Sequence, residues 1–121
     1  MRVIKNGINE RYIIYKLNDD VNEKIYIGKT TIPIYMRINS HRHGTLQADK
    51  YFSQIGWDKV TFEIIDFSLD KENLLKKESN YILKYYTMYK EKLLNINSKM
   101  ISNFIHFPTD FKKLAHNYFE V

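Results

Sequence analysis

Apolar positions along the chain change their spacing several times, and each change marks an element. Arg11-Tyr12-Ile13-Ile14-Tyr15-Lys16-Leu17 and Lys24-Ile25-Tyr26-Ile27-Gly28 are dense in β-branched and aromatic side chains, which suit a pleated, half-buried surface. The largely polar run at 18–23 reads as a turn, so the two segments predict a β-hairpin. Pro33 suits the first turn of a helix, where its φ is already helical and its missing N–H has no partner to lose. Ile34, Arg37, Ile38 and His41 follow at helical spacing until Gly44 can end the helix. A second short helix is expected over 46–55, closed by Gly56. Val60-Thr61-Phe62-Glu63-Ile64-Ile65-Asp66 alternates and then turns apolar, which predicts a third strand.

Asp70 can cap a longer helix running to about Tyr86, with Leu74, Leu75, Glu78, Ile82 and Tyr85 on one stripe. Leu93-Leu94-Asn95-Ile96 has the character of chain returning to the core. Pro108-Thr109-Asp110 opens a last amphipathic segment, Phe111 to Phe119, with Thr109 as N-cap. The order β-β-α-α-β-α plus a C-terminal helical segment predicts an α+β domain, a small central antiparallel three-stranded sheet flanked by helices. Residues 1–10 are expected to be a lead-in, 11–97 the domain, and 98–121 an appendage packed on it.

At 121 residues and 44% hydrophobic content, the chain has material for one folded domain with a modest core. Its apolar runs are short and Met1-Arg2-Val3-Ile4-Lys5 does not open a signal peptide, so an intracellular protein without a membrane span is expected. The absence of cysteine removes disulfides, thiolate metal sites and cysteine nucleophiles together, leaving oxygen or imidazole to hold any metal. Nineteen Lys and Arg against fourteen Asp and Glu give +5 and a pI near 9.3. That balance points toward a polyanionic partner, although a charge of this size also serves solubility alone.

Lys24-Ile25-Tyr26-Ile27-Gly28-Lys29-Thr30-Thr31 ends in the Gly-Lys-Thr of a phosphate-binding P-loop. A P-loop needs a glycine five positions earlier so that successive N–H groups can wrap the phosphates. That position is Glu23, and no glycine lies between Gly7 and Gly28. The nucleotide-binding reading fails on the missing wrap.

Glu78 is the residue that most disturbs its pattern, because it stands in line with Leu74 and Ile82 where an apolar side chain should continue the stripe. A buried carboxylate without a partner is costly, so Glu78 either lies at the stripe's edge or meets a cation. Arg37 and His41, four apart, project from one helix face and could grip a phosphodiester; with Arg42 and His43 they could equally be a polar helix surface. Tyr12, Tyr15 and Tyr26 read first as sheet-packing aromatics.

In order along the chain stand Ile14-Tyr15, Tyr26-Ile27-Gly28, Arg37 and His41 on one helix, Glu78 on the next long helix, then Asn95. In that order the sequence resembles the GIY-YIG nuclease family over residues 11 to 97. One departure is plain: the glycine of the first motif is replaced, giving Ile13-Ile14-Tyr15. The resemblance implies that Tyr15 and Tyr26 face the scissile phosphate, that Arg37 and His41 flank it and that Glu78 binds one divalent ion, Mg²⁺ or Mn²⁺. Asn95 is expected to support the site, with Asn97 as the alternative for that position. Lys29, Arg42, His43 and Asn95 are the candidates for DNA contact, and Lys29 reads equally as an exposed loop lysine. Gly28 is expected to let the backbone pass close to DNA or to the neighbouring helix.

The function implied is endonucleolytic hydrolysis of DNA by a tyrosine-activated water and one metal ion. A tyrosine of pKa about 10 pays roughly 4 kcal/mol to ionise at pH 7, so nearby cations must lower that cost. Tyr15 is assigned as base, with Tyr26 as the alternative or as a hydrogen-bonding orienter. A non-catalytic nucleic-acid-binding domain of the same fold, and a small interaction domain with core tyrosines, are the competing readings. One such site cuts one strand at a time, so a double-strand break would need a homodimer, a partner protein or sequential nicks. No recognition motif predicts a target sequence.

Overall fold

A computed structural model of the chain describes residues 1–95. Its sheet has four strands, β1 (Arg2–Ile4), β2 (Tyr12–Asp19), β3 (Ile25–Thr30) and β4 (Val60–Ser68), in the order β1-β4-β2-β3. Three helices accompany it, α1 (Ile34–Arg42), α2 (Gln47–Ile55) and α3 (Lys71–Tyr89). The hairpin, both short helices, the later strand and the long helix stand where hydrophobic spacing places them.

The expectation of three antiparallel strands is corrected by β1, which runs parallel to β4 with Arg2 opposite Thr61 and Ile4 opposite Glu63. The sheet is therefore mixed. Three residues are too few for a period to show in the sequence. What pins them is tertiary: beyond the strand the chain turns through Asn6 and Gly7, both at positive φ. Asn6 Nδ2 then donates to Glu63 Oε2 at 3.0 Å and to the Ile64 carbonyl at 2.8 Å.

Strand alternation divides β2 between two cores. Ile13, Tyr15 and Leu17 pack with Val60, Phe62 and Ile64 of β4 and with Ala48 and Phe52 of α2, while Ile34 and Ile38 of α1 close the rim. Ile14 points the other way, with Ile25 and Ile27, against Leu74, Tyr81, Ile82 and Tyr85 of α3. The sheet is thus sandwiched between α1 with α2 on one face and α3 on the other.

The apolar doublet that interrupts alternation in the third predicted strand is a β-bulge. Ile14 opposes Asp66 and Tyr15 opposes Ile64, leaving Ile65 as the extra residue. One added residue reverses the facing of the rest of the strand. Ile64 lies in the α2 core, whereas Asp66 faces α3 and accepts from Tyr81 Oη at 2.8 Å and Lys77 Nζ at 3.3 Å.

Asp70 caps α3 as its sequence position predicts, accepting from the Asn73 N–H at 2.7 Å. Leu74 is buried and Leu75 is 54% exposed, so Leu75 leaves the stripe assigned to it: the buried line runs 74, 81, 82, 85. Leu93 is fully buried and pairs with Ile25, which returns the chain to the core as expected. The C-terminal appendage, with Thr109 and the segment from Phe111 to Phe119, and Asn97 lie outside the described residues.

Candidate active site

Because side chains alternate along a strand, Tyr15 of β2 and Tyr26 and Gly28 of β3 all emerge on the face covered by α1. Tyr15 pairs directly with Gly28. The Tyr15 ring lies across that glycine, stacked at 4.6 Å and 15° on Phe62, and a Cβ at position 28 would clash with its Cζ and hydroxyl oxygen. The close approach that Gly28 permits is therefore made by Tyr15, not by DNA or a neighbouring helix.

Helix α1 carries Arg37 and His41 on one side, one turn apart, over this pair of strands. Arg37 Nε–H donates to the Tyr15 hydroxyl at 3.0 Å. The same hydroxyl lies 2.5 Å from His41 Nε2, and His41 Nδ1 lies 2.6 Å from Asp49 Oδ1 on α2. The second Asp49 oxygen accepts from the Leu46 N–H at 3.2 Å. Tyr15 is 0%, His41 3% and Asp49 2% exposed, so the line Asp49–His41–Tyr15 is sealed from water and surfaces only at Arg37. Tyr26 stacks edge-on against His41 at 5.5 Å. Its hydroxyl has no hydrogen-bond partner among the described residues, and the side chain is half-buried.

Asp49 is the member of this cluster that sequence reading missed. The signal was present: Asp49 stands in the same buried line as Ala48 and Phe52 of α2, the position of a carboxylate on an apolar stripe that drew attention to Glu78.

Burial pushes the Tyr15 hydroxyl well above the ordinary phenol range, with Tyr26 and Glu78 adding to the rise and Arg37 opposing it. Burial likewise raises Tyr26. For Arg37, burial works against the charge, but the two phenols and Glu78 outweigh it and hold the guanidinium ionised. Burial lowers His41 despite the favourable Asp49 beside it, so the ring is neutral at pH 7.

Glu78 reaches the cluster from the opposite face of the sheet. It sits on α3, 18% exposed, and its Oε1 accepts from Lys29 Nζ at 3.2 Å across the outer edge of β3. Its charge is felt by Tyr15, Tyr26 and Arg37, so the four groups share one electrostatic site around that edge. Asn95 clamps the same strand: its Oδ1 accepts from the Ile27 N–H at 2.8 Å and its Nδ2 donates to the Ile27 carbonyl at 2.7 Å. That occupies both ends of its amide in support of β3. Arg42 and His43 stand exposed at the C-terminal end of α1, outside the hydrogen-bonded cluster.

A model of the GIY-YIG catalytic domain matches residues 11–92. The chain belongs to the GIY-YIG family. Nucleases of this family act on DNA, and the match spans Tyr15, Tyr26, Arg37, His41 and Glu78. No curated protein and no solved structure gives a match.

GIY-YIG nucleases generally use divalent metals. Among the described residues no group of three His, Asp or Glu side chains converges to form a cage. Glu78 still fits a hard cation of the Mg²⁺ class, which commonly takes one or two protein carboxylates, retains waters and completes its shell with substrate phosphate. Lys29 serves as the counter-charge of that carboxylate. No helix among the described residues is long and apolar enough to cross a membrane.

Proposed function

We propose that this GIY-YIG domain is a metal-dependent endonuclease that hydrolyses phosphodiester bonds of DNA. The observation that carries this reading is the gathering of Tyr15, Tyr26, Arg37 and the Lys29–Glu78 pair around one edge of β3, from four separate stretches of chain. Hydrolysis requires a water to lose a proton, charge on the phosphoryl oxygens to be neutralised and the leaving oxygen to be stabilised.

Tyr26 is the better placed of the two phenols to take the water's proton. Its side chain is only half-buried and its hydroxyl uncommitted, whereas that of Tyr15 is fully buried and already shared between Arg37 and His41. Arg37 would use its remaining N–H donors on the phosphate, stabilising the charge that builds there and easing ionisation of the phenol beside it. A phosphate entering at the strand edge competes for Lys29, whose release would free Glu78. A Mg²⁺ or Mn²⁺ ion held by Glu78 would supply Lewis-acid neutralisation of phosphate charge.

Plasmid nicking tests this directly. The parent is expected to nick supercoiled DNA with Mg²⁺ or Mn²⁺ and not in EDTA, with Glu78→Ala and Arg37→Ala each at least about 100-fold slower. Tyr26→Phe should abolish turnover while retaining DNA affinity. A parent that binds DNA and never cuts it with either ion would replace the proposal with a non-catalytic binding domain.

A further inference from the structure

We propose that Asp49 is a positioning residue of this site: its carboxylate keeps the proton of His41 on Nδ1, which makes Nε2 the acceptor of the Tyr15 hydroxyl and leaves the Tyr15 oxygen to hold Arg37. Its consequence in turnover rests on the nuclease reading. The hydrogen-bond order itself stands on geometry and proton count.

The four groups come from three elements, β2, α1 and α2, and with the buried Tyr15 hydroxyl un-ionised their contacts of 2.6, 2.5 and 3.0 Å allow only one arrangement in which every proton has an acceptor. An ionised carboxylate only accepts and Arg37 Nε–H only donates. Asp49 therefore accepts a hydrogen bond from His41 Nδ1–H, and the Tyr15 oxygen accepts one from Arg37 Nε–H. The Tyr15 O–H must then donate to Nε2. With the His41 proton on Nε2 instead, the buried Tyr15 hydroxyl would face two donors and have nowhere among the described residues to place its own proton. An unsatisfied buried hydroxyl is costly, so the arrangement enforces itself.

The backbone is cleared at both ends of the line. A Cβ at Gly28 would strike the Tyr15 ring, and a Cβ at Gly44 would collide with the Asp49 carboxylate and come within 2.9 Å of the Ser40 carbonyl. Asp49 also accepts from Leu46 N–H at the start of α2, so a helix-entry role is the plain alternative. A cap, however, would govern neither the tautomer of His41 nor the order of Arg37, which lies two hydrogen bonds further out. The direction of dependence is thus Asp49 to His41 to Tyr15 to Arg37.

The test tracks the protons by NMR on the full chain, without DNA or metal. In the parent at pH 7, His41 is expected to be neutral with its proton on Nδ1, and Arg37 Nε–H to exchange slowly. Asp49→Asn should redistribute the His41 proton toward Nε2 and speed Arg37 Nε–H exchange. Tyr15→Phe should speed Arg37 exchange yet leave His41 protonated on Nδ1, since Asp49 is still present. A parent His41 that is doubly protonated or protonated on Nε2 overturns the proposal, as does an Asp49→Asn protein with both signals unchanged. Should Asp49→Asn fail to fold, the parent and Tyr15→Phe decide. In nicking assays Asp49→Asn is expected to lower kcat about 100-fold, the scale of losing one oriented donor to the phosphate as Arg37 loses its order, with KM for plasmid within about twofold. Parent-like kcat in a variant whose tautomer has moved would remove the role in turnover. A parent that cuts no DNA defeats the nuclease reading and leaves the NMR result to judge the proton order.

Discussion

His41 shows how far a residue's behaviour depends on what surrounds it. In the sequence it is one of three basic side chains closing a helix; in the fold it is 3% exposed, faced by Asp49 from α2, Tyr15 from β2, Tyr26 from β3 and Arg37 from its own helix. Burial lowers its pKa below the ordinary 6.5, so at mildly acid pH the unfolded chain takes up a proton that the folded chain refuses. Stability is then full above pH 6.5 and falls as pH drops from there toward the depressed folded value. The Tm, measured from pH 8 to pH 5.5, should decline over the lower part of that range in the parent, and the decline should be flattened in His41→Gln. Gly28 offers a second check at this scale. Gly28→Ala drives a methyl group into the hydroxyl end of Tyr15, whose ring is stacked on Phe62, so urea unfolding should report a loss of about 1–3 kcal/mol from overpacking.

Among the elements, β3 carries the site, and its outer edge is divided. The half formed by Ile25 and Ile27 is covered: Leu94 N–H donates to the Ile25 carbonyl at 2.7 Å and Asn95 takes both backbone groups of Ile27. The half that carries Gly28 and Lys29 is left for the Lys29–Glu78 pair and the uncommitted phenol of Tyr26. A covered edge also resists pairing with another chain. Replacing Asn95 by Ala removes two hydrogen bonds at once and should cost about 1–3 kcal/mol in urea unfolding, with amide exchange rising first at Ile27. Most elements were legible in the sequence because their periods are long enough to show: eight residues of β2, nine of β4, nineteen of α3. β1 was not legible, since Arg2–Ile4 has three residues and its only claim to strand geometry is the neighbour it pairs with. The bulge at Ile65 was visible as a break in alternation, but only the register against Ile14 and Tyr15 gives that break its meaning.

For the molecule as a whole, the net charge of +5 acts at a distance that no single contact does. Affinity for DNA should fall steeply and log-linearly with salt, since each phosphate neutralised by Lys or Arg releases condensed counterions. Fluorescence anisotropy of a duplex over 50–200 mM salt is expected to show that slope, reduced by about one unit in Lys29→Ala if this side chain turns from Glu78 to a phosphate on binding. An affinity indifferent to salt would remove the electrostatic basis of the nuclease reading. Local order in the chain determined the element types and their sequence from β2 onward, and the family, because β-branched runs, caps and motif order are properties of neighbours in sequence. Tertiary structure alone decided which phenol is sealed and which is only half-buried, and that the cation meeting Glu78 is Lys29, forty-nine residues away. It also decided that a carboxylate of α2 stands behind His41. Burial and long-range pairing arise only when separate elements pack together, and those two quantities govern the chemistry of every group at this site.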